Sequence, residues 1–369
     1  MSSAPIDPLL FQREHGHERL VVFSDAATGL RGAIALHNTT LGPAIGGTRL
    51  RAYASPAEGI LDVLRLSEAM TFKAAVAGLP HGGGKAVIFA DGMEEDAAIR
   101  EARLRAYGRI IDELGGRYIT AEDVNTTMAD MQIIRRVTPH VAGLPLGAGG
   151  GGDPSPVTSV GVLAGMRALA EDVLGTQSLS GVSVALQGLG KVGLPLAELL
   201  VEQGAQVTAS DVRPEVSAHA QERLGIDLVA PEAIYDVPAA IFAPCAFGGA
   251  INDETLPRLR CQIIAGSANN QLQDERHGEA LHERGIVYGV DYVINAGGLI
   301  NVAAEVAPGG YDEGRARKQA EGIYDTIKRL LVLSREQGIS TERAAHQLAL
   351  SAIGKRKPRR ARSVSAASQ

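Results

Sequence analysis

Two stretches of the chain combine residue types and spacing that could do chemistry. The first is LPHGGGKAVI at residues 79–88, where three glycines stand directly before Lys85. A lysine behind bare backbone first raises a phosphate loop, which needs Gly-x-x-x-x-Gly-Lys followed by Ser or Thr. Gly84 fits, but Leu79 occupies the first-glycine position and Ala86 follows the lysine, so no hydroxyl is available for magnesium. What remains is a lysine opening the apolar run Ala86, Val87, Ile88, Phe89, Ala90, the pattern of a buried strand. Partial desolvation there would lower the amine's pKa and make it a proton-transfer group. A surface lysine beside a flexible turn is the plain alternative.

The second stretch is GVSVALQGLGKVGLPLAELLVEQGAQVTASD, residues 181–211. An apolar strand at 182–186 leads into Gly188, Leu189, Gly190, Lys191, Val192 and Gly193, a full G-x-G-x-x-G. A helix over 192–203 and a second strand ending at Asp211 follow. Glycines alone are weak evidence. Strand, glycines, helix, strand and a carboxylate about twenty residues on define a dinucleotide site. The first glycines let backbone turn and approach a pyrophosphate, whose charge sits at the helix N-terminus. Asp211 is placed to accept from ribose hydroxyls, and its charge opposes a 2′-phosphate, which favours NAD over NADP. Arg213 is the residue that could still accommodate that phosphate. A Rossmann unit with another ligand, or none, is the alternative.

The elements that must position these residues follow from local pattern. RLVVFSD and RGAIALHN read as short strands around a turn at Gly29. After GTRLRAY, Ser55 caps a helix, Pro56 takes its first position and Glu58 completes a capping box. That helix aligns Val63, Leu66 and Met70 on one side, with Lys73 a turn beyond. A lysine there can snorkel to solvent, but a helix folding back onto the next strand would bring Lys73 near Lys85. The glycine-rich LGAGGGGDPSP at 146–156 reads as a hinge between two α/β regions.

Bulk properties exclude several classes. The 369 residues are enough for two domains, with 45% hydrophobic and 21% charged residues and a net charge of −6. That charge offers no general attraction to nucleic acid or anionic membrane. Cys245 and Cys261 fit neither a zinc spacing nor a disulfide framework, and no metal site is expected. No apolar run approaches the roughly 20 residues of a membrane span, and no secretory signal opens the chain, so a cytoplasmic protein is expected. The basic end, GKRKPRRARSVSAASQ, is a solvated terminus or a nucleic-acid or localisation tail.

With these residues assembled, the chain resembles the amino acid dehydrogenases acting on leucine, valine and phenylalanine, smaller relatives of glutamate dehydrogenase. The resemblance runs in order through LGPAIGGTRL, TFKAAVAGLPHGGGKAVI, RYITAEDVNTT, DPSPVTSVGV, QGLGKVG, APCAFGG, IAGSANNQL and YVINAGGLINVA. It implies a two-domain α/β protein. Residues 1–148, rejoined by helices at about 335–355, would form a substrate-binding and oligomerisation domain. Residues 149–334 would form the Rossmann domain, and 356–369 a basic, disordered tail. It also implies a homo-oligomer.

By the same resemblance, Lys85 is the catalytic lysine, Lys73 binds the substrate carboxylate and Asp123 is the partner in proton transfer. The glycines before Lys85 would let backbone crowd close to substrate, and a charged Lys73 would depress the Lys85 pKa. Read alone, Asp123 could equally be a helix N-cap before Thr126 and Thr127. Thr158 is implied near the nicotinamide, and Ala243, Cys245 and Asn270 at the cofactor cleft, Cys245 without chemistry of its own. Ile45, Gly46, Met70, Ala121, Leu299 and Val302 are implied in the side-chain pocket. Glutamate-using relatives carry lysine where Ile45 stands, and an apolar residue cannot pair a γ-carboxylate. Ala121 and Val302 resemble the leucine type, whereas phenylalanine-type chains tend to glycine and leucine there. Asn125 pulls toward the phenylalanine branch, Leu299 toward a smaller pocket, and His81 has no sequence-level explanation. The reaction implied is reversible, NAD-dependent oxidative deamination of leucine, valine or isoleucine to the 2-oxo acid and ammonia, or of an aromatic amino acid.

Overall fold

The computed structural model describes residues 6–90 and 96–355; the basic end at 356–369 lies outside them. The first sheet has the order β1-β2-β4-β3-β5, comprising β1 (Arg19–Asp25), β2 (Leu30–Asn38), β3 (Ala44–Arg51), β4 (Gly82–Phe89) and β5 (Tyr118–Glu122). β1 and β2 form the expected hairpin, β2 runs antiparallel to β4, and β3, β4 and β5 are parallel. Helices cover both faces, so β2 and β4 read as nearly continuous apolar runs. Ala33, Ala35 and Val87 pack with Val63 and Leu64 of helix Pro56–Val76. Ile34, Leu36, Ala86 and Ile88 pack on the other face with Leu104 and Tyr107 of helix Ala97–Glu113. By this alternation Lys85 shares the face of Val87, toward the helix that carries Lys73.

Ser55 caps that helix through the Glu58 amide as expected, but the Glu58 carboxylate accepts from Ala54 N rather than closing the box at Ser55. The three glycines differ from expectation as well. They are the first three residues of β4 rather than a loop, and their lack of side chains serves protein packing. A Cβ on Gly83 would lie 2.1 Å from Thr71 N and 2.4 Å from Ser67 O, inside the helix backbone. One on Gly84 would meet the Tyr118 ring at 2.8 Å. The backbone that crowds in is the protein's own.

The second sheet is wholly parallel, in the order β11-β10-β9-β6-β7-β8. Its strands are β6 (Ser183–Gln187), β7 (Gln206–Ser210), β8 (Asp227–Leu228), β9 (Ile241–Pro244), β10 (Ile263–Ile264) and β11 (Val287–Tyr288). This is the doubly wound Rossmann order, with its topological switch between β6 and β9. Helix Ser155–Leu174 packs against Gly297–Glu305 and Ile323–Gln337. Helix Thr341–Gly354 then returns to the first domain, where the His346 ring meets Phe72 edge-on at 4.8 Å. Among the described residues no helix is long and apolar enough to cross a membrane, and no group of His, Cys, Asp or Glu is arranged to hold a metal.

Candidate active site

A cavity of about 510 Å³ lies between the two sheets. Ile45, Gly46, Met70, Lys73, Lys85, Ala121, Asp123, Leu299 and Val302 all line it. β3, β4, β5 with the segment just after it, and helix Pro56–Val76 bring the first seven, and helix Gly297–Glu305 brings the last two from the other domain. Lys85 Nζ stands 2.9 Å from Asp123 Oδ2, which also accepts from Arg49 Nε at 3.1 Å. Asp123 is no helix cap. Thr127 caps the next helix, and Thr126 Oγ1 accepts the Asp123 amide at 2.9 Å. Lys73 reaches across the cleft and donates to Asn295 Oδ1 at 2.6 Å. Asn295 Nδ2 in turn donates to Ser267 O and Asn269 Oδ1.

Charge is distributed unevenly. Burial pushes the Lys73 amine down to about 8, with the Lys85 charge acting the same way and Asp291 opposing. Lys73 keeps some exposure to the cleft, yet it is deep among protein atoms, and that depth governs its proton. The depressed amine therefore lies on the carboxylate-binding candidate. Burial would raise Asp123, but Lys85 and then Arg49 outweigh it and hold the carboxyl below its usual range. Asp291, desolvated in the same cavity, is raised despite accepting from Gln271 and Tyr292 amides.

A second cavity, about 640 Å³, opens at the carboxyl end of β6 and is lined by Gly188, Gly190, Asp211, Arg213 and Cys245 among others. Gly188 has φ +93° and abuts Ala246, while a Cβ on Gly193 would lie 1.9 Å from Gly188 O. Nothing lies within 4 Å of where a Gly190 Cβ would be, which leaves that side open to a ligand. Val192 stands at the start of helix Gly193–Glu202, and Leu189, itself buried, donates its amide to Asp211 Oδ2 at 2.8 Å. Burial would raise Asp211, but bonds from the Arg213 side chain and the Arg213 and Leu189 amides hold it ionised below its usual range. These residues fit a dinucleotide.

The remaining expected cofactor residues fall elsewhere. Lys191 and Asn270 face the first cavity. Thr158 lies in the first turn of its helix, donates to Pro154 O, and borders Gly298 of that cavity. Ala243 is fully buried inside β9 and lines neither cavity. Burial raises the Cys245 thiol, in keeping with a non-reactive role.

Arg49, Leu66, Ala69, Asp291, Tyr292 and Asn295 are site residues that sequence reasoning missed. Arg49 had a signal, since period-two alternation along β3 puts it on the Ile45 face. Asn295 had none, being 222 positions from Lys73. Two puzzles resolve. Asn125 has φ +61°, a left-handed backbone that glycine or asparagine fills, and its side chain donates to Leu50 O. His81 is buried with Nδ1 3.3 Å from Pro43 O, and burial lowers its pKa.

Residues 17–140 match the family model described as Glu/Leu/Phe/Val dehydrogenase, dimerisation domain, and residues 210–356 match Glutamate/Leucine/Phenylalanine/Valine dehydrogenase. The leucine dehydrogenase of Thermoactinomyces intermedius is 49% identical over 339 residues, covering 92% of this chain and 91% of that one. The phenylalanine dehydrogenase of Bacillus thermotolerans is 44% identical, covering 93% and 90%. The crystal structure of L-tryptophan dehydrogenase from Nostoc punctiforme superposes with a TM-score of 0.84 at 43% identity, covering 94% and 98%. The chain belongs to the Glu/Leu/Phe/Val dehydrogenase family, in its leucine, phenylalanine and valine branch. Its activity is that of a pyridine-nucleotide-dependent amino acid dehydrogenase.

Proposed function

We propose that the protein carries out the reversible, NAD-dependent oxidative deamination of a branched-chain L-amino acid. The observation that carries this is the apolar wall of Ile45, Leu66, Ala69, Met70, Ala121, Leu299 and Val302 in the cavity that also holds Lys73, Lys85 and Asp123. Ile45 is fully buried and offers no charge to a γ-carboxylate. Ala121 and Leu299 narrow the pocket, which favours an aliphatic over an aromatic side chain. One methylene separates valine from leucine or isoleucine by only about 1–3 kcal/mol, so activity on all three is expected.

Lys73 holds the substrate carboxylate. Asp123 takes a proton from the substrate amine and offsets positive charge at the reacting nitrogen. Lys85, in its neutral form, removes a proton from the water that adds to the oxidised carbon, and returns it to the leaving amine. Gly188, Leu189, Gly190, Lys191, Val192, Gly193 and Asp211 hold NAD, with Thr158, Cys245 and Asn270 toward its reactive end. Bound there, NAD⁺ supplies the hydride acceptor. The ionised Asp211, already engaged by Arg213, supports NAD over NADP. The 1–148 and 149–334 domains, with 335–355 rejoining the first, close around this cleft. The dimerisation description of the matched family model supports a homo-oligomer, and we place the enzyme in the cytoplasm.

The aromatic reading draws on the tryptophan and phenylalanine relatives. The test of the chemistry is NADH formation at 340 nm with L-leucine. Wild type should turn over, and Lys85→Ala should lose at least about 10³-fold in kcat while still binding NAD. Near-wild-type turnover in that variant would remove Lys85 from the mechanism.

A further inference from the structure

We propose that Arg49 is a positioning residue that keeps Asp123 ionised when Lys85 gives up its proton, and that Asp62 and Tyr53 hold Arg49 to that task. The proposal rests on the reading of Lys85 and Asp123 above. Both cations meet the carboxylate at Oδ2, Lys85 at 2.9 Å and Arg49 Nε at 3.1 Å. In the proposed reaction Lys85 must act neutral, and at that moment its ion pair with Asp123 is gone. A largely buried carboxylate left alone would take the proton itself. The guanidinium does not deprotonate in proteins, so it is the one charge on Oδ2 that persists through the cycle.

The rear of the arginine is secured. Arg49 Nη1 donates to Asp62 Oδ2 at 3.0 Å, and Tyr53 OH donates to the same oxygen at 2.6 Å. Arg51 lies over the Tyr53 ring, 5.5 Å from its centroid. Strand β3 supplies Arg49, β4 Lys85, the segment after β5 Asp123, and helix Pro56–Val76 Asp62. Lys73, Glu122, Lys191 and Asp291 also line the cavity that Asp123 faces. They are common to every variant below.

The test is the pH profile of kcat/KM for L-leucine in wild type, Arg49→Gln, Arg49→Lys, Asp62→Asn and Asp123→Asn, each checked for native near-UV dichroism and NAD binding. The acid limb reports the proton whose loss leaves Asp123 free to act as a base. Removing the guanidinium raises the proton affinity of Asp123, so Arg49→Gln should shift the acid limb up by about one pH unit. Arg49→Lys keeps the charge and should return the limb close to wild type with a reduced kcat. Asp62→Asn breaks the same ion pair but deletes a negative charge, so its limb should stay or fall while kcat drops. A merely structural role would make Arg49→Gln and Asp62→Asn behave alike, with loss uniform across pH, and that result overturns the proposal. If Arg49→Gln does not fold, an upward shift in Asp62→Asn overturns it as well. Asp123→Asn separates the two levels. Full activity there would defeat the reading of Asp123 itself, whereas inactivity beside an unmoved Arg49→Gln limb would defeat only the role of Arg49.

Discussion

Lys73 carries the clearest conflict between folding and chemistry. Burial holds its amine at about 8 against an ordinary 10.5. Below pH 8 the amine is charged both folded and unfolded, so the cost of burying that charge is felt in full. As pH rises from 8 to 10.5 the folded protein has already shed the proton, and the cost fades. Lys73→Met should therefore raise Tm at pH 7 by about 2–4 °C, with the gain vanishing near pH 10.5, while KM for the amino acid rises sharply. Thermal melts across that range check it; a lower Tm at pH 7 would mean that the Asn295 and Asp291 contacts outweigh the desolvation.

At the scale of elements, local pattern carried much of the architecture and misjudged one segment. The nucleotide-binding unit was legible because strand, glycine turn, helix and carboxylate are contiguous, and each obeys its own short-range rule. At GGGK the buried strand was legible but its start was not, because three glycines imitate a loop. What places them in β4 is a helix packed so tightly that even one methyl would enter the Thr71 backbone, and no local period encodes that. Asn125 is the reverse case, a residue that resembles a substrate determinant and is a backbone one. It lines neither cavity and sits in left-handed conformation. Asn125→Gly should leave the ranking of substrates unchanged, while Asn125→Ala should cost about 1–2 kcal/mol of stability. Denaturant melts and relative kcat/KM values would decide, and a changed ranking in Asn125→Gly would return the residue to the pocket.

At the scale of the molecule, the site exists only where the two domains meet. Ile45, Lys73, Lys85, Ala121 and Asp123 come from one, Leu299, Val302 and Asn295 from the other. Family resemblance made the pocket-lining residues nameable in advance. The Lys73–Asn295 bond and the Arg49–Asp62 brace were not, because they depend on side-chain directions across separate elements. What decides the substrate is kcat/KM for L-leucine, L-valine, L-isoleucine, L-phenylalanine, L-tryptophan and L-glutamate, read as NADH formation at mildly alkaline pH. The three aliphatic substrates should lead both aromatic ones by about tenfold or more, with glutamate far behind. Phenylalanine or tryptophan in the lead would keep the chemistry at Lys85 and Asp123 and contradict the pocket drawn from Ala121, Leu299 and Val302.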